Sequence, residues 1–184
     1  DQPAIKQVSR MSQPPTDIQN GTGGVHWEGK DPTTMLQFTQ ASIGYDFTKT
    51  LNIQMAQGRD YSEDHAPDSA GYIINEAALK IIGYDDPIGK PLTFWQKKGT
   101  IVGVTKDFHF SSLHQEITPM ILRLEEKVRY GWALVRIESD KTTEALTSLE
   151  VIHKKLNPQF PFTYQFSDEE YLKILGKKCE VFVA

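Results

Sequence analysis

The sequence predicts a mixed α/β fold, and three stretches carry that prediction. "GYIINEAALKIIG" joins a short apolar run to a capped amphipathic helix. "LTFWQKKGTIVGVTKDF" places two strand-like runs about a turn, and "WALVRIE" leads into an apolar stripe that reaches Leu156. At 184 residues the chain suits one ordinary domain or two small interlocked lobes. Its 39% hydrophobic and 24% charged residues are those of a soluble globular protein.

Taken in order, residues 1–12 hold a short edge-like run around Ile5 and Val8. "QPPTDIQNGTGG" reads as a loop, and "VHWEGKDP" continues it with Trp27 as its anchor. Met35, Leu36, Phe38, Ala41 and Ile43 suggest a strand beginning near Thr33. "YDFTKTLNI" reads as a short helix capped by Asp46, with Phe47, Leu51 and Ile53 near one face. In "QMAQGRDYS" a strand ends and Gly58 is free to take a positive φ. Residues 72–74 form a brief buried strand, and Asn75 caps the helix after it, with Glu76 in the first turn. Ala78, Leu79 and Ile82 line that helix and Gly83 ends it. The hairpin that follows is expected to turn at "QKKG", and "MILRL" is a further strand. In the last third, Ser139 or Asp140 caps a helix with Ala145, Leu149, Ile152 and Leu156 on one stripe. Asn157 and Pro158 stop it, and "PFTYQF" returns as a strand parallel to "WALVRIE".

Twenty Lys and Arg against 24 Asp and Glu give a net charge of −4, with the basic pairs scattered, which argues against a nucleic-acid partner. One cysteine, Cys179, excludes an intrachain disulfide framework. No run approaches the roughly 18 apolar residues of a membrane helix. The chain opens on Asp1, not Met, so it reads as a mature or excised piece whose parent's location stays open.

The densest chemistry lies in "KDFHFSSLH". Asp107, His109 and Ser111 alternate along an extended segment, but neighbours i and i+2 on a strand sit about 6–7 Å apart. A nucleophile–base–acid set needs the histidine within hydrogen-bond reach of both partners, and no GxSxG elbow presents a strained serine. His109 and His114 are five apart, which does not match the four-residue helical spacing of a zinc site. "GYDDPIGKP" fails as a phosphate loop, because five residues separate Gly83 from Gly89 and Pro91 stands where Ser or Thr would hold magnesium. Asp60, Glu63, Asp64 and Asp68 lack the glycine and register of a calcium loop and read as a solvated acidic loop. His26, His65 and His153 stand alone. No catalytic, cofactor-binding or metal-binding residue is expected.

The order of the segments says more. "GRDYS", "INEAALK", "DPIGK" and "GTIVGVTKDFHFSSLH", in that sequence, resemble the periplasmic domain of MacB-like, FtsX-type ABC transporter permeases of the Bacteroidetes type. The resemblance is strong over residues 25–125 and weaker over 130–166; Thr105 departs from the family's usual hydrophobic residue. It implies an α+β fold of two lobes, a porter-like β-α-β lobe at 1–24 and 114–170 and an inserted mixed lobe at 25–113. Residues 171–184 are unassigned. The family opens its domain with a further strand and helix that this chain does not carry, which leaves the porter-like lobe short at its N-terminal end.

The resemblance further implies a non-catalytic domain on the periplasmic side of the inner membrane. It would couple ATP hydrolysis on a cytoplasmic subunit to export or to a periplasmic partner, with a second permease copy as a further partner. In such a domain Asp107 or His109 would tie the insert's sheet to the turn at Ser111 and Ser112. The competing readings are an extracytoplasmic hydrolase using Asp107, His109 and Ser111, and a free-standing periplasmic binding or scaffold protein.

Overall fold

The structure, a computed structural model, describes residues 3–16, 18–64, 70–109, 116–125 and 131–167. The first half contains β1 (Ile5–Met11), β2 (Gly21–Thr22), β3 (Val25–Trp27), β4 (Phe38–Ile43), α1 (Phe47–Leu51) and β5 (Met55–Gly58). Then come β6 (Gly71–Asn75), α2 (Glu76–Ile82), β7 (Pro91–Phe94), β8 (Lys97–Thr105), β9 (Met120–Leu124), β10 (Trp132–Ile137) and α3 (Thr142–Leu156). The strands join one mixed sheet in the order β10-β1-β4-β9-β6-β8-β7-β3, with β2 beside β4 and β5 beside β8. Two pairings are parallel, β4 with β9 and β6 with β8; the others are antiparallel.

The centre of the sheet is buried on both faces, and the two-residue period of a strand sorts its side chains between two cores. Ile73 of β6, Met120 and Leu122 of β9, and Ala41 and Ile43 of β4 face a cluster with Met11, Phe47 and Tyr61. Their alternates, Tyr72, Ile74, Ile121 and Phe38, face a second cluster with Ala78 and Ile82 of α2 and Phe94 of β7. Double burial explains why these strands read as near-continuous apolar runs. It also means that each fully buried Phe or Ile contributes roughly 1.5–3 kcal/mol from apolar area alone.

The α2 unit forms as its sequence predicts. The Ala78 N–H donates to Asn75 Oδ1 at 3.0 Å, Glu76 stands in the first turn, and Gly83 closes the helix with φ +79°. Gly58 takes φ +67°, and a Cβ there would meet Val102 O at 2.4 Å. Opposite it, a Cβ on Gly103 would meet Arg59 O at 2.3 Å. The pair of glycines lets β5 lie against β8 more closely than any side chain permits.

Elsewhere the structure departs from the sequence reading. "VHW" is the strand β3, pairing with β7, and not loop. β4 begins at Phe38, leaving Met35 96% exposed. β1 is internal to the sheet, between β10 and β4. The hairpin turns two residues early, at Trp95 and Gln96, both at positive φ (45° and 68°), which is what a two-residue turn demands. Trp95 is held there from outside: its indole N–H donates to Thr22 Oγ1 at 2.8 Å and its ring lies against Phe94 and under Arg123.

Asp46 occupies the N-cap of α1, but its carboxylate takes the Lys49 ammonium and caps no N–H. The cap is supplied by Asp60, which is buried, not solvated as the acidic run around it suggested. Asp60 Oδ2 accepts from the Thr48 N–H at 2.8 Å and the Thr48 hydroxyl at 2.6 Å, and Oδ1 accepts from the Tyr61 N–H.

The largest departure is at the C-terminal end. α3 starts from Lys141 without a side-chain cap, and of its expected stripe Ala145 is fully buried while Leu156 is 69% exposed. Residues 160–166 are not a strand. Phe162 and Tyr164 pack as a tilted pair at 5.8 Å and Tyr164 and Phe166 edge to face at 5.5 Å, with Phe162 also against His153 of α3. These rings shield each other instead of joining β10, whose described neighbour is β1.

Candidate functional site

β8 ends at Thr105, and the chain then runs past the start of α2 toward the loop that follows α1. The Lys106 N–H donates to Gln54 O at 2.8 Å, which fixes this segment beside residues 51–54. Asn52 closes α1 in the left-handed conformation, φ 57°, and turns the chain back so that Ile53 N–H reaches Thr48 O. Between the two segments lies a half-open cleft of about 370 Å³. Leu51, Ile53 and Phe108, each half-buried and packed on the first core, form its floor, and Pro15 forms a wall. Asn52, Gln54 and Lys106 stand at its rim.

The residues singled out in "KDFHFSSLH" fall into different roles. Asp107 is bound to the N-terminus of α2: the Ala77 N–H donates to its Oδ1 at 3.0 Å, while its own N–H donates to Glu76 Oε2 at 3.2 Å. The first free N–H groups of a helix are good partners for a carboxylate, so this contact joins the end of β8 to α2. It is a reciprocal brace, with each acid accepting from the other segment's backbone. His109 is exposed and lines the cleft. Phe108 points inward onto the core and sits between them. Ser111, Ser112 and His114 lie outside the described residues, as do His65 and Asp68. Among the described residues, no group of three or more His, Cys, Asp or Glu side chains is placed to hold a metal.

Removing the brace has a measurable cost. Asp107→Ala takes away one capping interaction at an exposed helix end, so a loss of about 1 kcal/mol is expected. That is a fall in Tm of about 2–4 °C for a domain this size, read by calorimetry. An unchanged Tm would remove Asp107 from any structural role.

Sequence reading identified the Lys106–His109 half of this cleft (residues 106–109) by its chemistry, but not the other half. Residues 51–54 carry no motif; only the antiparallel pairing of β5 with β8, with Met55 opposite Thr105, brings them across.

No protein-family profile matches the chain, and no curated protein matches it. Solved structures do. The chain is similar to the periplasmic region of MacB from Actinobacillus actinomycetemcomitans, with a TM-score of 0.66 and 21% identity over 97% of this chain and 79% of that one. It is also similar to a domain of a protein described as a permease from Porphyromonas gingivalis, with TM-score 0.58 and 17% identity over 92% of this chain and 84% of that one. A third likeness is to the extracellular domain of the noncanonic ABC-type transporter YknZ from Gram-positive bacteria. There the TM-score is 0.54 at 16% identity, over 83% of this chain and 78% of that one. The α+β fold is therefore that of a MacB-like periplasmic domain.

Proposed function

We propose that residues 1–184 form the extracytoplasmic domain of an ABC transporter permease, on the periplasmic side of the inner membrane. The observation that supports this most is the shared fold: the three solved domains it resembles come from MacB, from a permease and from an ABC-type transporter. In this reading the domain carries out no chemistry. ATP is hydrolysed on a cytoplasmic subunit, and the domain passes the resulting movement to a periplasmic partner or cargo, next to a second permease copy. Nucleic acid has no place in it, in keeping with the net charge of −4.

We assign the lobes as 1–24 with 114–170, and 25–113. A lever needs a stiff joint, and the proposed lobes meet through backbone ladders: β4 runs parallel to β9 over five residue pairs, and β6 runs antiparallel to β9. The engagement of the Asp107 carboxylate by α2 speaks against the hydrolase reading, in which that group would have to orient His109.

The deciding experiment is to read the gene on both sides of the segment encoding Asp1 to Ala184. Apolar stretches of about 20 residues before and after it are expected. A stop codon close after Ala184, with only a cleavable signal upstream, overturns the permease reading in favour of a free-standing periplasmic protein.

A further inference from the structure

We propose that the cleft between residues 51–54 and 106–109 is filled by the chain itself, with the apolar run at 171–175 docked on its floor as a tethered strap. This holds whether or not the chain belongs to a transporter.

The path of the chain leads there. Ser167, the last residue described, is part of the cleft's lining, so residue 168 starts at its edge. Three acids follow at 168–170, and then "YLKIL", four apolar residues in five. Four residues of chain span at most about 14 Å, enough for Tyr171 to cross a cleft of about 370 Å³ and too little to carry it far away. With so short a link, docking is an intramolecular event at an effective concentration in the millimolar range. A shallow apolar floor that would hold a free ligand only weakly is then sufficient.

The floor is suited to apolar side chains. Leu51, Ile53 and Phe108 are half-buried; they rest on the first core and face the cleft. Covering them removes apolar surface from water, which drives the docking. Residues 171, 174 and 175 have the i, i+3, i+4 spacing with which an apolar helix face enters a groove, and Lys173 falls on the opposite side of such a helix. Charge does not choose the occupant. The rim carries both Lys106 and Asp107, with Glu76 bonded to the Asp107 N–H, so neither sign prevails. The acids at 168–170 stay in water at the mouth, and apolar fit within reach of the tether decides.

The chain's single cysteine, Cys179, lies four residues beyond Leu175 and supplies the probe site. A nitroxide attached to Cys179 of the isotope-labelled full chain is expected to broaden the amide NMR signals of residues 51–54 and 106–109 most strongly, to the same extent on dilution. In Ile174→Ser/Leu175→Ser that local broadening is expected to be lost. The shifts of Ile73 and Ile121, one in each core, are expected to stay at their parental values and serve as the fold control. Broadening centred on the exposed Val151, Ile152 and Leu156 of α3 overturns the proposal by placing the strap on that helix. Broadening that fades on dilution overturns it in favour of a second copy as the occupant. Broadening spread evenly over the domain, or left unchanged by the double substitution, overturns it as well.

Discussion

Asp60→Ala is expected to lower the stability of the domain by about 3–5 kcal/mol. Asp60 is 9% exposed and accepts three hydrogen bonds, two of them from backbone N–H groups and one from the Thr48 hydroxyl. The alanine leaves all three donors without an acceptor. Each unsatisfied buried group costs about 1–3 kcal/mol, which outweighs the gain from no longer desolvating a carboxylate. Asp60→Asn is no rescue, because its amide has one acceptor atom where the carboxylate has two, and its NH₂ must face a donor. It is expected to recover less than half of the loss. Thr48→Val, which removes one donor with its acceptor left in place, is expected to cost about 1 kcal/mol. Urea unfolding of the parent and the three variants measures all of this, and adding the Asp60→Ala/Thr48→Val double variant measures their coupling. An Asp60→Ala protein within 1 kcal/mol of the parent would show that the carboxylate is not what caps α1.

Asp60 also shows where sequence reading stops. It stands in "GRDYSED", among other acids, and local composition assigns such a residue to solvent. Its partner Thr48 lies twelve positions upstream, in a helix whose own Asp46 looks like the better cap. Which acid caps α1 is decided by where the chain passes after β5, and that is tertiary information. The same holds at the hairpin. "QKKG" offers a glycine, a usual turn residue, yet the turn falls at Trp95 and Gln96. The strain of a tryptophan at positive φ is offset by the bond to Thr22, 73 residues away, and by packing on Phe94 and Arg123. The α2 unit was legible because strand, cap, apolar stripe and terminating glycine act within thirteen residues. For the candidate site, the residues 106–109 stood out by chemistry while their opposite wall did not. Leu51 and Ile53 are ordinary apolar residues until the β5–β8 pairing sets them across from Phe108.

The return of "PFTYQF" as a strand was a misreading of a different kind. Its alternating aromatics have the correct period, and the rings of Phe162, Tyr164 and Phe166 do follow one another at 5.8 and 5.5 Å. Period alone describes which side a residue faces; pairing needs a neighbouring strand, and among the described residues β10 has only β1.

The second large effect is expected at Asn75, where the legible and the illegible meet in one side chain. Its role as N-cap of α2 follows from sequence, and an ordinary cap is worth about 1 kcal/mol. The structure adds two long-range bonds. Asn75 Oδ1 also accepts from the Met120 N–H at 2.8 Å, and its amide donates to Thr118 O at 3.0 Å. Asn75 is 2% exposed, so Asn75→Ala leaves three backbone groups short of a partner, two of them at the entry to β9. The expected loss is about 3–5 kcal/mol, several times that of a cap alone. Asn75→Ser isolates the difference: its hydroxyl caps α2 but is too short to span to both Thr118 and Met120, so it is expected to recover only about 1 kcal/mol. Hydrogen exchange gives the second readout. In Asn75→Ser the Met120 amide is expected to lose protection while the Ala78 amide keeps it. A loss near 1 kcal/mol in Asn75→Ala, matched by Asn75→Ser at parental stability, would reduce Asn75 to a cap. The predicted result makes it the polar tie between β6 and β9. That is the seam across which the proposed lobes, 25–113 and 1–24 with 114–170, would have to move as one for a lever to work.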